Sequence, residues 1–292
     1  MLSYYKMEVI MLSLTIMRTM WPHGNSKVPG LVEAIAAAAP TVSPKYGLTS
    51  DLLIAHAMAQ FSHECGAGND MVEDINYTPE RACEVWPSRF KNAADCLAKV
   101  GSFAGDRDFA IKLIDNVYGN RMGNRPGTHD GSTFIGRGLS QVTGRDGYKR
   151  LGDKIGLNLV DNPDLVAAPA NALECGVADF ILCGCLPFAQ ADDVQGVTKH
   201  LNGGFIGLSE RMSWLTRWKT ILGAQNPARH STTWLQVSLN KLGAHPILVP
   251  DGSFGPMTAA ALAEFQAAHG LEADGEVGPK TWAAIDEALA AV

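Results

Sequence analysis

The sequence predicts a mainly α-helical protein with one sizeable domain followed by a small C-terminal domain. Apolar residues recur at helical spacing along most of the chain, whereas the alternating pattern of strands is scarce. A length of 292 residues suits two such domains. Hydrophobic residues make up 46% of the chain and charged residues 18%, which is typical of a globular protein with an ample core.

Charge and targeting signals exclude several classes of function. The net charge of -6 gives no indication of nucleic acid as a partner. Residues 9–17 are mildly apolar, but Glu8 precedes them and no small-residue cleavage site follows. Met11 is a second plausible start, so we interpret residues 1–10 as an N-terminal extension. We expect a protein that is made in the cytoplasm without an export signal of its own.

The cysteines and histidines give no indication of a metal site. None of the six cysteines has C-x-x-C spacing, and we expect reduced thiols, with a Cys83–Cys96 disulfide as the alternative. His63–Glu64 does not begin an H-E-x-x-H motif, because Ala67 occupies the place of the second histidine. We expect no metal and no organic cofactor.

A central helix is predicted over residues 48–65. Thr49 or Ser50 can cap it, and Asp51 is favourable in its first turn. Alanine and leucine surround the segment instead of forming one stripe, which indicates a buried helix. Further helices are predicted at 79–86, 94–100, 109–118, 146–154, 171–183, 192–201 and 208–222.

Glu64 is the candidate general acid. It lies at the end of the central helix, where the helix dipole and the scarcity of water both favour a protonated carboxyl group. Glu73 follows beyond the glycine-rich segment CGAGND, although on spacing alone Asp74 is an equal candidate. Two carboxyl groups across a cleft can divide acid and base roles, as in inverting glycosidases, where they stand about 6.5–9.5 Å apart.

Two later segments offer polar side chains. In GRGLSQVTGRDGY, residues 136–148, Gln141 and Thr143 project to the same side if the chain is extended there, where they can hold a water and a sugar hydroxyl. Asn202 precedes Gly203–Gly204 in a predicted turn, and Arg211 in the next helix can support an acidic cleft.

Together these segments resemble the family 19 glycoside hydrolases, which comprise lysozyme-like chitinases and phage endolysins. The resemblance spans about residues 29–222 and depends on HEC with NYT, YGNRMGN, GRGLSQVTGRDGY and LNGG. It implies a lysozyme-like helical catalytic domain in which Glu64 is the general acid and Glu73 the general base. Thr143 would position the attacking water.

The resemblance also implies a set of sugar contacts, with two departures. Gln141, Asn202, Tyr77 and Arg211 would contact substrate. Gly147 stands where the family often has an asparagine that contacts sugar. Cys65 replaces the commoner serine after the acid, and we expect it to pack instead of reacting.

The C-terminal region contains an internal repeat. DGSFGPMTAAALAEFQ begins at Asp251 and DGEVGPKTWAAIDEAL at Asp274, and both share D-G-x-x-G-P-x-T before a helix. Asp-Gly forms a tight turn, and Thr258 or Thr281 would cap or enter the helix that follows. With a helix at TTWLQVSLNKLG, this predicts a three-helix bundle with apolar faces at Leu235, Leu239, Leu242, Ala259, Leu262, Phe265, Trp282, Ile285 and Leu289. The pattern over about residues 231–291 resembles the three-helix peptidoglycan-binding domain.

The predicted organisation is therefore a catalytic domain over 11–222, a linker over 223–233 and a peptidoglycan-binding domain over 234–292. The leading hypothesis is a monomeric phage-type endolysin that hydrolyses peptidoglycan in the periplasm after a holin opens the inner membrane. The alternatives are a chitinase, a lytic transglycosylase that needs one catalytic glutamate, and a non-catalytic wall-binding component of a virion.

Overall fold

The computed structural model describes residues 12–103, 105, 107–225 and 230–290. The predicted N-terminal extension, residues 1–10, and the middle of the predicted linker lie outside the described residues. Over the described part of the chain the fold is mainly α, as predicted, and β-pairing is limited to isolated bridges. Most predicted helices are confirmed to within a few residues at each end.

Twelve α-helices lie between residues 12 and 225 in the described part of the chain. They are α1 Leu14–Met20, α2 Leu31–Lys45, α3 Asp51–Glu64, α4 Pro79–Val85, α5 Ala93–Val100, α6 Arg107–Tyr118, α7 Asp130–Thr133, α8 Arg145–Ile155, α9 Pro169–Leu182, α10 Leu186–Gln190, α11 Val194–Asn202 and α12 Leu208–Gln225. Single 3-10 turns lie at Gly66–Gly68 and Pro163–Val166. The C-terminal helices are α13 Thr232–Lys241, α14 Pro256–Ala268 and α15 Pro279–Ala290.

The predicted central helix is confirmed as α3. Its N-cap is Ser50, whose hydroxyl accepts a hydrogen bond from the Leu53 backbone N–H at 3.4 Å. Every residue from Leu53 to Ser62 is buried, because α9, α10 and α11 all pack against this helix. Burial on all sides explains why the sequence shows no single apolar stripe. The helix ends at Glu64.

Helix α2 is absent from the sequence prediction. It contains Pro40 and Pro44, and a proline inside a helix removes one backbone hydrogen bond and normally ends the helix. The helix nevertheless packs along α9 and α1, burying Leu31, Val32, Ile35, Ala39, Val42 and Ser43. We infer that this burial outweighs the cost of the prolines, since each fully buried aliphatic side chain contributes about 1.5–3 kcal/mol.

The described residues form two compact units that divide between Leu215 and Thr216. The division falls inside α12. This helix ends at Gln225, beyond the predicted end of the larger domain at Leu222. None of the described helices combines the length and apolar character that a membrane crossing requires.

The C-terminal helices form a bundle around a single apolar cluster, as predicted. The buried members of this cluster are Leu235, Leu239, Leu248, Ala261, Leu262, Phe265 and Ile285. Two details differ from the sequence prediction. Ala261 faces the core in place of Ala259, and Leu248 joins the core from the loop between α13 and α14.

The first D-G turn of the repeat is held by a buried glutamine. The side-chain amide of Gln236 donates to Asp251 Oδ1 at 2.9 Å, to the Ser253 carbonyl at 3.1 Å and to Thr258 Oγ1 at 3.2 Å. Its Oε1 accepts from the Gly252 backbone N–H at 3.0 Å. Thr258 lies in the first turn of α14, one of the two predicted places, whereas the N-cap is Gly255. Its hydroxyl is a partner of this glutamine.

The second turn repeats the same network. The amide of Gln266 donates to Asp274 Oδ1 and the Glu276 carbonyl, both at 2.8 Å, and to Thr281 Oγ1 at 3.3 Å. Its Oε1 accepts from the Gly275 backbone N–H at 2.9 Å. The shared D-G-x-x-G-P-x-T sequence is thus one structural unit used twice, with a glutamine of the preceding helix at its centre. An unpaired buried amide is costly, so each glutamine fixes the turn that satisfies it.

Candidate active site

A cleft of about 550 Å³ in the larger unit contains five of the seven predicted site residues, Glu64, Glu73, Gln141, Thr143 and Asn202. The residues that line it are Glu64, Glu73, Tyr118, Met122, Gly136, Ser140, Gln141, Val142, Thr143, Gly147, Arg150, Asp179, Cys183, Leu201 and Asn202. The remaining two predicted residues, Tyr77 and Arg211, do not line the cleft.

Glu64 reaches the cleft from the last position of α3. Its Oε1 accepts hydrogen bonds from Arg211 Nη2 at 2.7 Å and from Asn202 Nδ2 at 3.3 Å. Both described hydrogen bonds of the carboxyl group are on this one oxygen. The side chain is 14% exposed, so only part of the group faces the cleft. Its orientation is therefore fixed through Oε1, and the two described hydrogen bonds do not involve Oε2.

Arg211 has a different place from the one predicted. Its side chain is 1% exposed and donates to the Ile206 carbonyl at 3.1 Å and to Gln60 Oε1 at 2.6 Å, besides its contact with Glu64. Gln60 in turn donates to Thr198 Oγ1 at 3.0 Å. A guanidinium buried in this way cannot contact a sugar, so the predicted substrate contact is corrected to a positioning contact on Glu64.

The main chain of Gly136 holds Glu73 in place. Its N–H donates to the Gly136 carbonyl at 2.9 Å, and its Oε2 accepts from the Gly136 N–H at 3.0 Å. Antiparallel bridges join Val72 to Arg137 and Arg137 to Val142, which brings residues 72–73 alongside the 136–143 turn. Asp74, the alternative carboxylate, does not line the cleft, and its Oδ1 accepts from the backbone and side-chain N–H groups of Asn76.

Gln141 and Thr143 both line the cleft, although the extended chain assumed for them is wrong. Gln141 has φ of 54°, which is the left-handed region, and its amide donates to the Asp70 and Gly138 carbonyls at 2.9 and 3.0 Å. The Thr143 hydroxyl donates to the Gln141 carbonyl at 2.9 Å. The tight turn, and not strand alternation, brings the two side chains to one wall.

Three oxygen atoms converge beside Gly136. A Cβ placed on this glycine would lie 2.8 Å from Gln141 Oε1, 3.4 Å from Glu73 Oε2 and 3.5 Å from Thr143 Oγ1. Because the three oxygens surround one point, they form a compact polar corner. A side chain larger than hydrogen at residue 136 would crowd this corner. Hydroxyl, amide and carboxylate oxygens are suited to hold a water molecule.

Tyr77 lies beside the cleft and not in its wall. It is half-buried and packs edge-on against Trp86, with ring centroids 4.9 Å apart. Tyr118, which also packs edge-on against Trp86, lines the cleft instead. Burial, followed by the charge of Glu73, raises the pKa of Tyr118 to about 12. Tyr118 belongs to the YGNRMGN segment, but nothing in that segment distinguishes it as a site residue.

A second polar group on the cleft wall was not predicted from the sequence. Asp179 of α9 is buried, and this burial raises the pKa of its carboxyl group. Its neighbours are Ser140, Cys183 at 3.8 Å and Arg150 at 3.8 Å. All four residues line the cleft.

All six cysteines are free thiols, and Cys65 packs as expected. Cys65 is fully buried, its Sγ donates to the Phe61 carbonyl at 3.0 Å, and burial raises its pKa to about 12. Across the described ranges, no group of three or more histidine, cysteine or acidic side chains could hold a metal ion.

Comparison with known proteins assigns both parts of the chain. Residues 229–285 match the family described as "Putative peptidoglycan binding domain". A "Glycosyl hydrolase family 19 domain-containing protein" of Haemophilus influenzae is 28% identical over 205 residues, which cover 69% of this chain and 92% of the relative. These similarities support a family 19 glycoside hydrolase domain in the larger unit. The chain is thus a glycoside hydrolase that also has a peptidoglycan-binding domain.

Two further similarities are to chitinases. An "Acidic 27 kDa endochitinase" of Solanum lycopersicum is 43% identical over 70 residues, which are 24% of this chain and 25% of that protein. The crystal structure of chitinase C from Streptomyces griseus HUT6037 is similar with a TM-score of 0.48 and 19% sequence identity, covering 73% of this chain and 92% of the chitinase.

Proposed function

We propose that this glycoside hydrolase is a phage-type endolysin that hydrolyses the β-1,4 bond between N-acetylmuramic acid and N-acetylglucosamine. The observation that carries the proposal is a pair of glutamates, Glu64 and Glu73, in the wall of one cleft of a chain that also has a peptidoglycan-binding domain. The cleft is large enough for part of a glycan strand, since ligand pockets are commonly about 300–1,000 Å³.

In the proposed mechanism Glu64 is the general acid. Arg211 and Asn202 hold Oε1, so Oε2 is the oxygen that delivers the proton to the leaving glycosidic oxygen. The buried guanidinium restricts the rotation of the carboxyl group. Such restriction favours catalysis because the donor is already oriented when substrate arrives.

Glu73 is the proposed general base. Its Oε2 is held by the Gly136 N–H, and Gln141 Oε1 and Thr143 Oγ1 lie around the same point. A water bound by Thr143 in this corner would give its proton to Glu73 and attack the anomeric carbon in a single displacement. Gln141 and Asn202 are proposed to contact sugar from the cleft wall.

A chitinase is the second candidate, because one relative is an endochitinase. The same two glutamates would serve either polymer. The peptidoglycan-binding domain favours the wall glycan, since binding through it raises the local concentration of that substrate around the catalytic cleft.

The proposed place of action is the periplasm of the host. We propose that the enzyme is made in the host cytoplasm, reaches the wall after a holin opens the inner membrane, and works as a monomer. This proposal follows from the endolysin hypothesis.

The deciding experiment compares purified peptidoglycan with chitin oligosaccharides, using the wild-type enzyme and Glu64→Gln. We expect faster product release from peptidoglycan by the wild type and almost none by the variant. Mass spectrometry should show reducing muropeptides. Products lighter by one water would indicate a lytic transglycosylase, and release from chitin alone would indicate a chitinase. Binding to peptidoglycan without any release would identify a structural wall-binding protein.

A further inference from the structure

One part of the cleft wall has no role in the proposed displacement. It consists of Ser140, Arg150, Asp179 and Cys183, and we call it the α8–α9 patch because Arg150 belongs to α8 while Asp179 and Cys183 belong to α9 and its C-cap. Glu64 and Glu73 are held by other residues, as described above. The patch is therefore available to recognise a part of the substrate that does not react.

Arg150 is the one cation among the described residues that line the cleft. Its side chain is 54% exposed, whereas that of Asp179 is 6% exposed. The guanidinium thus faces the open cleft, and the carboxyl group lies behind it. Gly147, one turn earlier on the same helix, also lines the cleft and has no side chain beyond hydrogen.

The charge of Arg150 is only weakly offset. Its Nη2 lies 3.8 Å from Asp179 Oδ1, which is longer than a hydrogen bond. Burial raises the pKa of Asp179, so this carboxyl group keeps its proton more firmly than an exposed aspartate. The guanidinium of Arg137, unlike that of Arg150, is buried and already has acceptors. It donates to the Tyr148 hydroxyl at 2.9 Å and to the Thr133 carbonyl at 2.7 Å.

The two candidate polymers differ in the chemical groups that they would present to Arg150. Chitin carries hydroxyl and N-acetyl groups and no charge. Peptidoglycan carries a peptide stem on each N-acetylmuramic acid, and the stem has free carboxylates. Arg150 is the positive charge of the described wall, and an exposed guanidinium binds carboxylates well, so it offers the stem a partner.

We propose that Arg150 binds a carboxylate of the peptide stem and thereby selects peptidoglycan over uncharged chitin. The inference depends on the proposed function and adds to it the residue that recognises the charged branch. Asp179 lies behind the guanidinium without a hydrogen bond to it, with Oδ1 3.8 Å from Nη2.

The test varies the charge on the enzyme and the charge on the substrate together. The enzymes are the wild type, Arg150→Ala, Arg150→Lys and the control Lys149→Ala. Lys149 directly precedes Arg150 on α8, does not line the cleft and pairs with Asp153 at 2.6 Å. The substrates are intact peptidoglycan sacculi, sacculi whose carboxylates have been converted to amides, and chitin hexamer. Equal melting temperatures would confirm that the variants fold.

We expect Arg150→Ala to lower kcat/KM on intact sacculi about fivefold, as for an exposed ion pair, and to leave chitin turnover unchanged. Amidation should lower the wild-type value by a similar factor and leave the value for Arg150→Ala unchanged. Arg150→Lys should keep most of the preference, and Lys149→Ala should match the wild type. An equal loss on intact sacculi, amidated sacculi and chitin would overturn the inference. If the wild type degrades chitin and neither kind of sacculus, the proposed function itself fails.

Discussion

The two glutamates of the cleft are held by different parts of the chain. Glu64 depends on side chains, Arg211 and Asn202, which come from helices about 140 residues further along the sequence. Glu73 depends on the main chain of Gly136, which exchanges two hydrogen bonds with it. Both arrangements fix a carboxyl group, but we expect them to be sensitive to different substitutions.

The difference shows where the site is vulnerable. The orientation of Glu64 should be lost when a side chain distant in sequence changes, because no backbone group replaces Arg211. The orientation of Glu73 should tolerate changes in the side chains around it. It should be disturbed when Gly136 gains a side chain, because the polar corner has no room for a Cβ. Each of the following substitutions tests one side of this comparison.

The largest effect is expected at Glu64. Glu64→Gln retains the shape and the acceptor oxygen for Arg211 but cannot donate a carboxylic proton, so kcat should fall by about 10⁴. The rate of reducing-sugar release from peptidoglycan measures it. Glu84→Gln, at a glutamate that is 65% exposed on α4, is the control and should keep full activity. More than a tenth of wild-type activity in Glu64→Gln would exclude Glu64 as the acid.

Glu73→Gln should lower kcat by about 10³, because an amide still accepts from the Gly136 N–H but cannot take a proton from water. Asp74→Asn is the matched control, since it removes the adjacent carboxylate outside the cleft, and it should have little effect. The comparison also decides between the two carboxylates that the sequence left open. A larger loss in Asp74→Asn would reverse the assignment.

Arg211→Lys tests the side-chain network on Glu64. A lysine keeps the positive charge but cannot reach Glu64, Gln60 and the Ile206 carbonyl together, so kcat should fall by about 10² with KM nearly unchanged. Steady-state kinetics separate the two constants. A raised KM with normal kcat would instead indicate a direct substrate contact, against the burial of this side chain.

Gly136→Ala tests the backbone-held side and should have the smallest effect, a fall in kcat of about tenfold. Its Cβ would lie 2.8 Å from Gln141 Oε1, so the polar corner must shift by a few tenths of an ångström. Gly204→Ala is the control, because a Cβ there meets no atom within 4 Å. Equal activity in both variants would show that the corner is not as tightly packed as described.

Local features of the fold were predictable from the sequence. Helix α3, its Ser50 cap and the position of Glu64 at its end follow from a capping residue and a run of apolar residues. The bundle at the C-terminus follows from its repeat. Helix α2 was not predictable, because its two prolines argue against a helix and only packing on α9 outweighs them.

The contacts of the site were less predictable than its members. Glu64, Glu73, Gln141, Thr143 and Asn202 were each identified, but the burial of Arg211 depends on contacts with residues 147 and 151 positions away. No sequence pattern indicated Tyr118 or Asp179 as a site residue, because a tyrosine or an aspartate in a helix is common and only the fold places these two in the cleft wall. Long-range packing decides such positions, and one sequence does not encode them in any local pattern.

The most direct test of the two-glutamate mechanism is the anomeric configuration of the first product. Proton NMR of a soluble peptidoglycan fragment, recorded within minutes of adding enzyme, distinguishes the α from the β anomer before mutarotation mixes them. A single displacement by water predicts that the β-linked substrate gives the α anomer first. The β anomer as first product would contradict it, since retention requires two displacements, and a 1,6-anhydro product would exclude hydrolysis by water altogether.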